Sequence, residues 1–272
     1  MGRPKGLLFF FKLMKYFTLT LLILSFASCS LISNKDRSKQ KEIGLVKYQA
    51  MSSKDYADHL KAFETFYLDS PSVSLRALLK SETEYLESIG DEIVKNNELF
   101  FTSGLKPQFK IVESDVPFHF SLPGLKVFIS TGLIAKYLKN EKLLYSVVAY
   151  ELIRSEKKIY KKAHIVPTGF MPTSRALALL RLNTSEKVET HKWAYYTLKR
   201  VGVDADIYLS WLQIQNRNSA DFALQLGDTS SISREESLFK AFIIQNSKKK
   251  NGGSKYERSS RAFYAFVNRI KR

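Results

Sequence analysis

The residues with the most chemistry to offer lie on one helical stripe and on a segment downstream of it. Leu143, Val147, Tyr150 and Arg154 follow one another at i, i+4, i+7 and i+11, one face of an α-helix. The stripe begins apolar, so it should face the core, where a guanidinium is costly unless a carboxylate neutralises it. Glu151, on the same helix, and Glu189, further along the chain, are the natural candidates, and Arg154 with Glu189 is the expected pair. The chain has four histidines, His59, His119, His164 and His191. His191 lies two residues beyond Glu189, but i and i+2 point about 200° apart on a helix, so the two cannot easily share one ion. A single cysteine, Cys29, excludes a disulfide framework and a thiolate metal cluster. There is no G-x-S-x-G elbow, P-loop or calcium loop, so an acyl-enzyme or nucleotide-driven mechanism has no support.

The elements that must hold these residues are mostly helical. Residues 55–68 carry Leu60, Phe63, Phe66 and Tyr67 before Pro71 breaks the pattern. Ser81 opens a Ser-Glu-Thr-Glu capping box ahead of Leu86, Ile89 and Ile93. Two β-rich stretches follow, 108–113 and 125–130, around Pro117, Pro123 and Gly124. Asn140 can cap the helix that bears the stripe. After a Pro/Gly loop at 166–174, a helix runs from about Glu186 to Arg200 and stops at Gly202. Asp204 can cap the next helix, and Ser233 to Glu236 reads as a second capping box. Trp193 and Trp211 sit at helical spacings and read as core. A Lys-Lys-Lys-Asn-Gly-Gly stretch at 248–253 precedes a last basic amphipathic helix with Phe263, Phe266, Val267 and Ile270. The expected fold class is α+β, mostly helical, with a small sheet packed on the helix of residues 140–160. The expected organisation is a leader at 1–28, a tether at 29–54, one domain at 55–246, and a basic linker with its helix at 247–272.

Composition bounds the function. Of 272 residues, 43 are Lys or Arg and 26 are Asp or Glu, a net charge of +17. Residues 16–27 form an apolar run behind Lys12 and Lys15, too short to span a bilayer as a helix and suited to export. The run ends in Phe26-Ala27-Ser28-Cys29, which resembles a bacterial lipobox, where the cysteine is lipidated and becomes the mature N-terminus. Met14 offers a second start that would make residues 1–13 dispensable. Without residues 1–28 the charge is +13, since Arg3, Lys5, Lys12 and Lys15 leave with them. An exported lipoprotein does not meet nucleic acid, so the expected partners of this charge are acidic lipid head groups or cell-wall polymers.

Residues 117–133, PFHFSLPGLKVFISTGL, resemble a segment of the zinc metallopeptidase family that includes the CAAX-prenyl protease, the heat-shock membrane protease and periplasmic lipoprotein peptidases. In that family the segment leads into a helix carrying H-E-x-x-H. Here Asn140-Glu141 is followed, at the family's spacing, by Val147-Val148-Ala149-Tyr150-Glu151-Leu152-Ile153-Arg154. Tyr85 to Gly90 is similar to the family's Y-x-x-x-I-G helix. Glu186 to His191 with Val201 to Asp204 is similar to its E-x-E-A-D…A-G-Y-D segment. The resemblance covers residues 85–212, and it implies a zincin-type domain.

What it implies for catalysis is loss. The positions of the three zinc ligands fall on Tyr150, Arg154 and Glu189, and that of the general base on Glu151. A phenol with a pKa near 10 is a poor ligand, and a guanidinium has no lone pair to give. The family's second strand glycine is Leu125 here. The resemblance further implies a peptide-binding edge strand at Lys126, Val127, Phe128, Ile129 and Ser130, where backbone hydrogen bonds would need no metal. The expectation is therefore a pseudo-peptidase without zinc or another cofactor. It would be anchored through lipid on Cys29, at the outer membrane facing the periplasm, and bind an extended peptide or envelope protein. An active metallopeptidase with unusual ligands and a purely structural lipoprotein are the alternatives.

Overall fold

A computed structural model describes residues 52–160, 170–246 and 258–272. The leader, Cys29, most of the tether, His164 and the linker at 247–257 lie outside the described residues. Described residues 52–272 belong to one compact unit. The chain runs α1 (Ser53–Leu68), α2 (Lys80–Lys95), β1 (Gln108–Val112), β2 (His119–Leu122), β3 (Lys126–Ser130), α3 (Thr131–Lys136) and α4 (Glu141–Glu156). It continues through α5 (Thr173–Leu180), α6 (Thr184–Val201), α7 (Ile207–Arg217), α8 (Ala223–Leu226), α9 (Ser231–Asn246) and α10 (Arg261–Ile270). The fold is mostly helical with a small mixed sheet.

Helix α4 is the axle of the domain. Leu144, Val147, Val148, Ala149, Leu152 and Ile153 are fully buried, so it is apolar on nearly every side and not on one stripe alone. It packs on α6 and α7, on α2, and on strands β2 and β3. Asn140 caps it, its side-chain oxygen accepting from the Leu143 N–H at 3.0 Å. Helix α6 opens on a reciprocal capping box between Asn183 and Glu186 and ends at Gly202, whose φ of 84° is the left-handed conformation that a C-cap uses. Two other caps fall elsewhere than the sequence suggests. Helix α2 starts one residue before Ser81, and Glu82 reaches back to the Leu79 N–H at 2.7 Å. Helix α9 starts at Ser231, which puts Ser233 inside it, donating to Asn216 Oδ1 at 3.0 Å.

The sheet has three strands in the order β1-β3-β2. Strand β3 lies parallel to β1 and antiparallel to β2. This corrects the expectation of a peptide-binding edge at 126–130. Both sides of β3 are already paired, and Val127, Phe128 and Ile129 are fully buried. The ends of the strand are engaged too. The Lys126 amine pairs with Glu64 of α1. Ser130 Oγ accepts from the Phe118 N–H at 2.9 Å and caps α3. The second strand, β2, has only four residues and sits between two prolines, so the sequence alone does not mark it. Its turn into β3 places both Gly124 (φ 94°) and Leu125 (φ 58°) at positive φ. Leucine is unusual there, and burial of its side chain offsets the backbone cost.

Helix α10 is part of the domain. Phe263, Phe266, Val267 and Ile270 are buried, and the helix packs on α2 and α3. Glu141 at the start of α4 accepts hydrogen bonds from the Tyr85 hydroxyl, the Ser260 N–H and the Ser260 hydroxyl. The last helix is thus tied to the first turn of α4.

Candidate functional site

On the face of α4 turned to the sheet, Glu151 is fully buried and both of its oxygens are taken. His119 Nδ1 lies 2.5 Å from Oε1, and the Ser121 hydroxyl donates to Oε2 at 2.6 Å. His119 and Ser121 alternate with Phe120 and Leu122 along β2, so the two polar side chains share the strand face that meets α4. Burial pushes the Glu151 carboxyl up, but the hydrogen bond and charge of His119, with Arg154 and Ser121, outweigh it and hold the carboxyl below its ordinary value.

Arg154 is 4 % exposed and does not meet Glu189. Its Nη1 is 3.7 Å from Glu151 Oε2, its Nε donates to the Ile159 carbonyl at 3.3 Å, and its Nη2 donates to the Leu180 carbonyl. The guanidinium lies 5.2 Å from the Tyr160 ring centre. Of the two carboxylates the sequence offers, the local one is used. Glu189 instead faces solvent, where Lys192 Nζ lies 3.3 Å away. The inward face of α6 carries Val188, His191 and Tyr195, and Glu189 is rotated off it by one residue, about 100°.

Tyr150 stands between two imidazoles, edge-on to His119 at 5.9 Å and tilted against His191 at 5.1 Å. Burial pushes its phenol well above the ordinary value, so it stays neutral. His191 Nδ1 is 2.8 Å from the Tyr208 hydroxyl, and its Nε2 lies 3.6 Å from Glu235 Oε2. Burial lowers the His191 pKa further than Glu235 can raise it, so the ring is neutral at pH 7. Burial also raises the Tyr208 phenol. Glu235 is buried and accepts from Lys187 Nζ at 3.0 Å. Burial pushes this carboxyl up too, and His191 with Lys187 brings it below its ordinary value.

These positions do not fit a zinc ion. Arg154 is a permanent cation, the Tyr150 phenol is held neutral, and Glu189 points away. Among the described residues no group of three His, Cys, Asp or Glu side chains could hold a metal. Sequence reasoning did not join His119 to Glu151, or His191 to Tyr208 and Glu235. The sequence shows the alternation His119-Phe120-Ser121-Leu122, polar with apolar, and that is the pattern that could have placed His119 and Ser121 on one strand face. No model of a known protein family matches the chain, and no curated protein matches it.

Proposed function

We propose that the chain is a lipid-anchored bacterial envelope protein built on a metallopeptidase-like frame that does not hydrolyse peptides and serves as a binding or scaffold module. One observation carries the reading. The carboxylate at the place of a general base, Glu151, is sealed from solvent and engaged at both oxygens, so no water reaches it to be activated. Arg154, in the position of the second ligand, is the cation that helps to neutralise it. Strand addition by an extended partner would fall to the outer edge of β2. The His119 N–H there is held by Gln225 Oε1 at 2.9 Å, so a peptide would first displace that side chain.

The test is incubation of the purified full chain with casein, with and without a chelator, next to a metal assay of the same sample. The expected result is no cleavage and no stoichiometric zinc. Cleavage that stops on chelation would overturn the reading. Replacement of Cys29 by serine should release the protein from the membrane fraction, and an unchanged membrane fraction would remove the lipid anchor from the proposal.

A further inference from the structure

On the other side of Tyr150 the polar groups are not satisfied. Two small cavities adjoin there, each of about 30 Å³, and Tyr150, Lys187 and Gln225 border both. His119 and His191 line the first, and Arg154 and Arg181 line the second. Three buried nitrogens on these walls have no hydrogen-bond partner: His119 Nε2, His191 Nε2 and Arg181 Nε. The imidazoles are 3 % and 5 % exposed, so water does not freely serve them. A buried polar atom left without a partner is costly, and here two border the first cavity and one belongs to a side chain lining the second, which points to a missing ligand.

The chemistry of the walls says what kind. Glu151 is matched by His119 and Arg154, and Glu235 by Lys187. Among the described residues Arg181 has no carboxylate partner, and its one hydrogen bond runs from Nη2 to the Leu224 carbonyl at 3.3 Å. Room for its guanidinium depends on Gly227. A Cβ at that position would stand 2.1 Å from Arg181 Cζ. Glu235 Oε2, 3.6 Å from Nε2, favours the tautomer with the proton on Nε2, and in that tautomer Nδ1 accepts from the Tyr208 hydroxyl at 2.8 Å. His119, held at Nδ1 by Glu151, meets the space through Nε2. That atom donates when the ring is protonated and accepts from a ligand hydroxyl when it is neutral.

We propose that this double cavity binds a small oxyanion, a carboxylate or a phosphate, with Arg181 as its anchor and Lys187 and His191 as further donors. The planar fork of a guanidinium matches both kinds of oxyanion, and neither water nor a cation would neutralise it. The size admits one such group and excludes a folded partner. The site does not depend on whether the chain hydrolyses peptides, so it stands or falls separately from the proposed function.

Titration calorimetry of the full chain with inorganic phosphate and with acetate, against sodium chloride of equal ionic strength, tests it and separates the two sources. Trp211, on the wall of the first cavity, reports the same event by fluorescence. Binding of at least one anion is expected, with a rise in Tm of about 4 °C at ten times its Kd. Arg181→Gln should weaken binding at least tenfold, while Lys192→Gln, outside the cavity, leaves it unchanged. Gly227→Ala, which displaces the guanidinium without removing it, should also weaken binding. No heat and no shift in Tm with either anion would overturn the proposal, as would binding that survives both Arg181→Gln and Gly227→Ala.

Discussion

The two sides of Tyr150 are built from the same residue types and finished differently. Toward the sheet, Glu151 is enclosed by an imidazole, a hydroxyl and a guanidinium, each within reach of its oxygens. Toward α6 and α9, an arginine and two imidazoles keep buried nitrogens that make no hydrogen bond. Buried polar groups stabilise a fold only when their network is complete, and an incomplete one is either a defect or a place for something else. The contrast assigns the first side to architecture and the second to a ligand.

Substitutions should separate the two sides by size of effect. The largest belongs to Glu151. Its replacement by alanine strands Arg154 and His119 without their carboxylate and should cost about 3–5 kcal/mol in urea unfolding. A loss below about 1 kcal/mol would mean the knot is not structural. Acid should act next, in two stages of the same sign. His191 is depressed in the folded state, so the unfolded chain takes its proton first, and stability falls as pH drops below the ordinary histidine value of 6.5. Glu151 and Glu235 are also depressed, so their contribution is full above the ordinary value of 4.5 and is lost as pH falls through the lower, folded values. Denaturant midpoints between pH 8 and pH 3 would show both stages, and His191→Gln should remove the upper one and weaken the Glu235 part of the lower, leaving the Glu151 part.

Smaller effects sharpen the contrast. Asn140→Ala removes the cap of α4 and should cost about 1 kcal/mol, read in the same unfolding curve. Arg181→Gln should cost less than about 0.5 kcal/mol in the absence of ligand, because no charge partner is lost with it. A large loss there would turn the second side into architecture as well. Glu189→Ala should be smallest, within about 0.5 kcal/mol, since its partner Lys192 is on the surface.

The sequence made the scaffold of this site readable and its partners less so. The cap at Asn140, the stop at Gly202 and the burial of the Arg154 stripe depend on a few neighbouring residues, and local physics decides them. The choice between Glu151 and Glu189 as the partner of Arg154 depends on how α6 is rotated against α4, and one residue of rotation reverses it. A carboxylate three residues away on the same helix was already in reach, and needed no tertiary arrangement to be right. The order of three short strands is likewise non-local. Two β-rich stretches were plain, but His119 to Leu122, between Pro117 and Pro123, take their strand character from pairing with β3, and that pairing makes β3 central. Helix α10 was legible as amphipathic, and its docking was not, because the face that receives it is assembled from α2, α3 and the first turn of α4.

That docking has a practical reach. Four apolar side chains and a serine bonded to Glu141 seat the final helix in a ready-made socket. A protease cut between Asn246 and Arg258 would therefore divide the polypeptide without dividing the particle. Mixed as separate fragments, the two pieces should reassemble, with Glu141 as the latch.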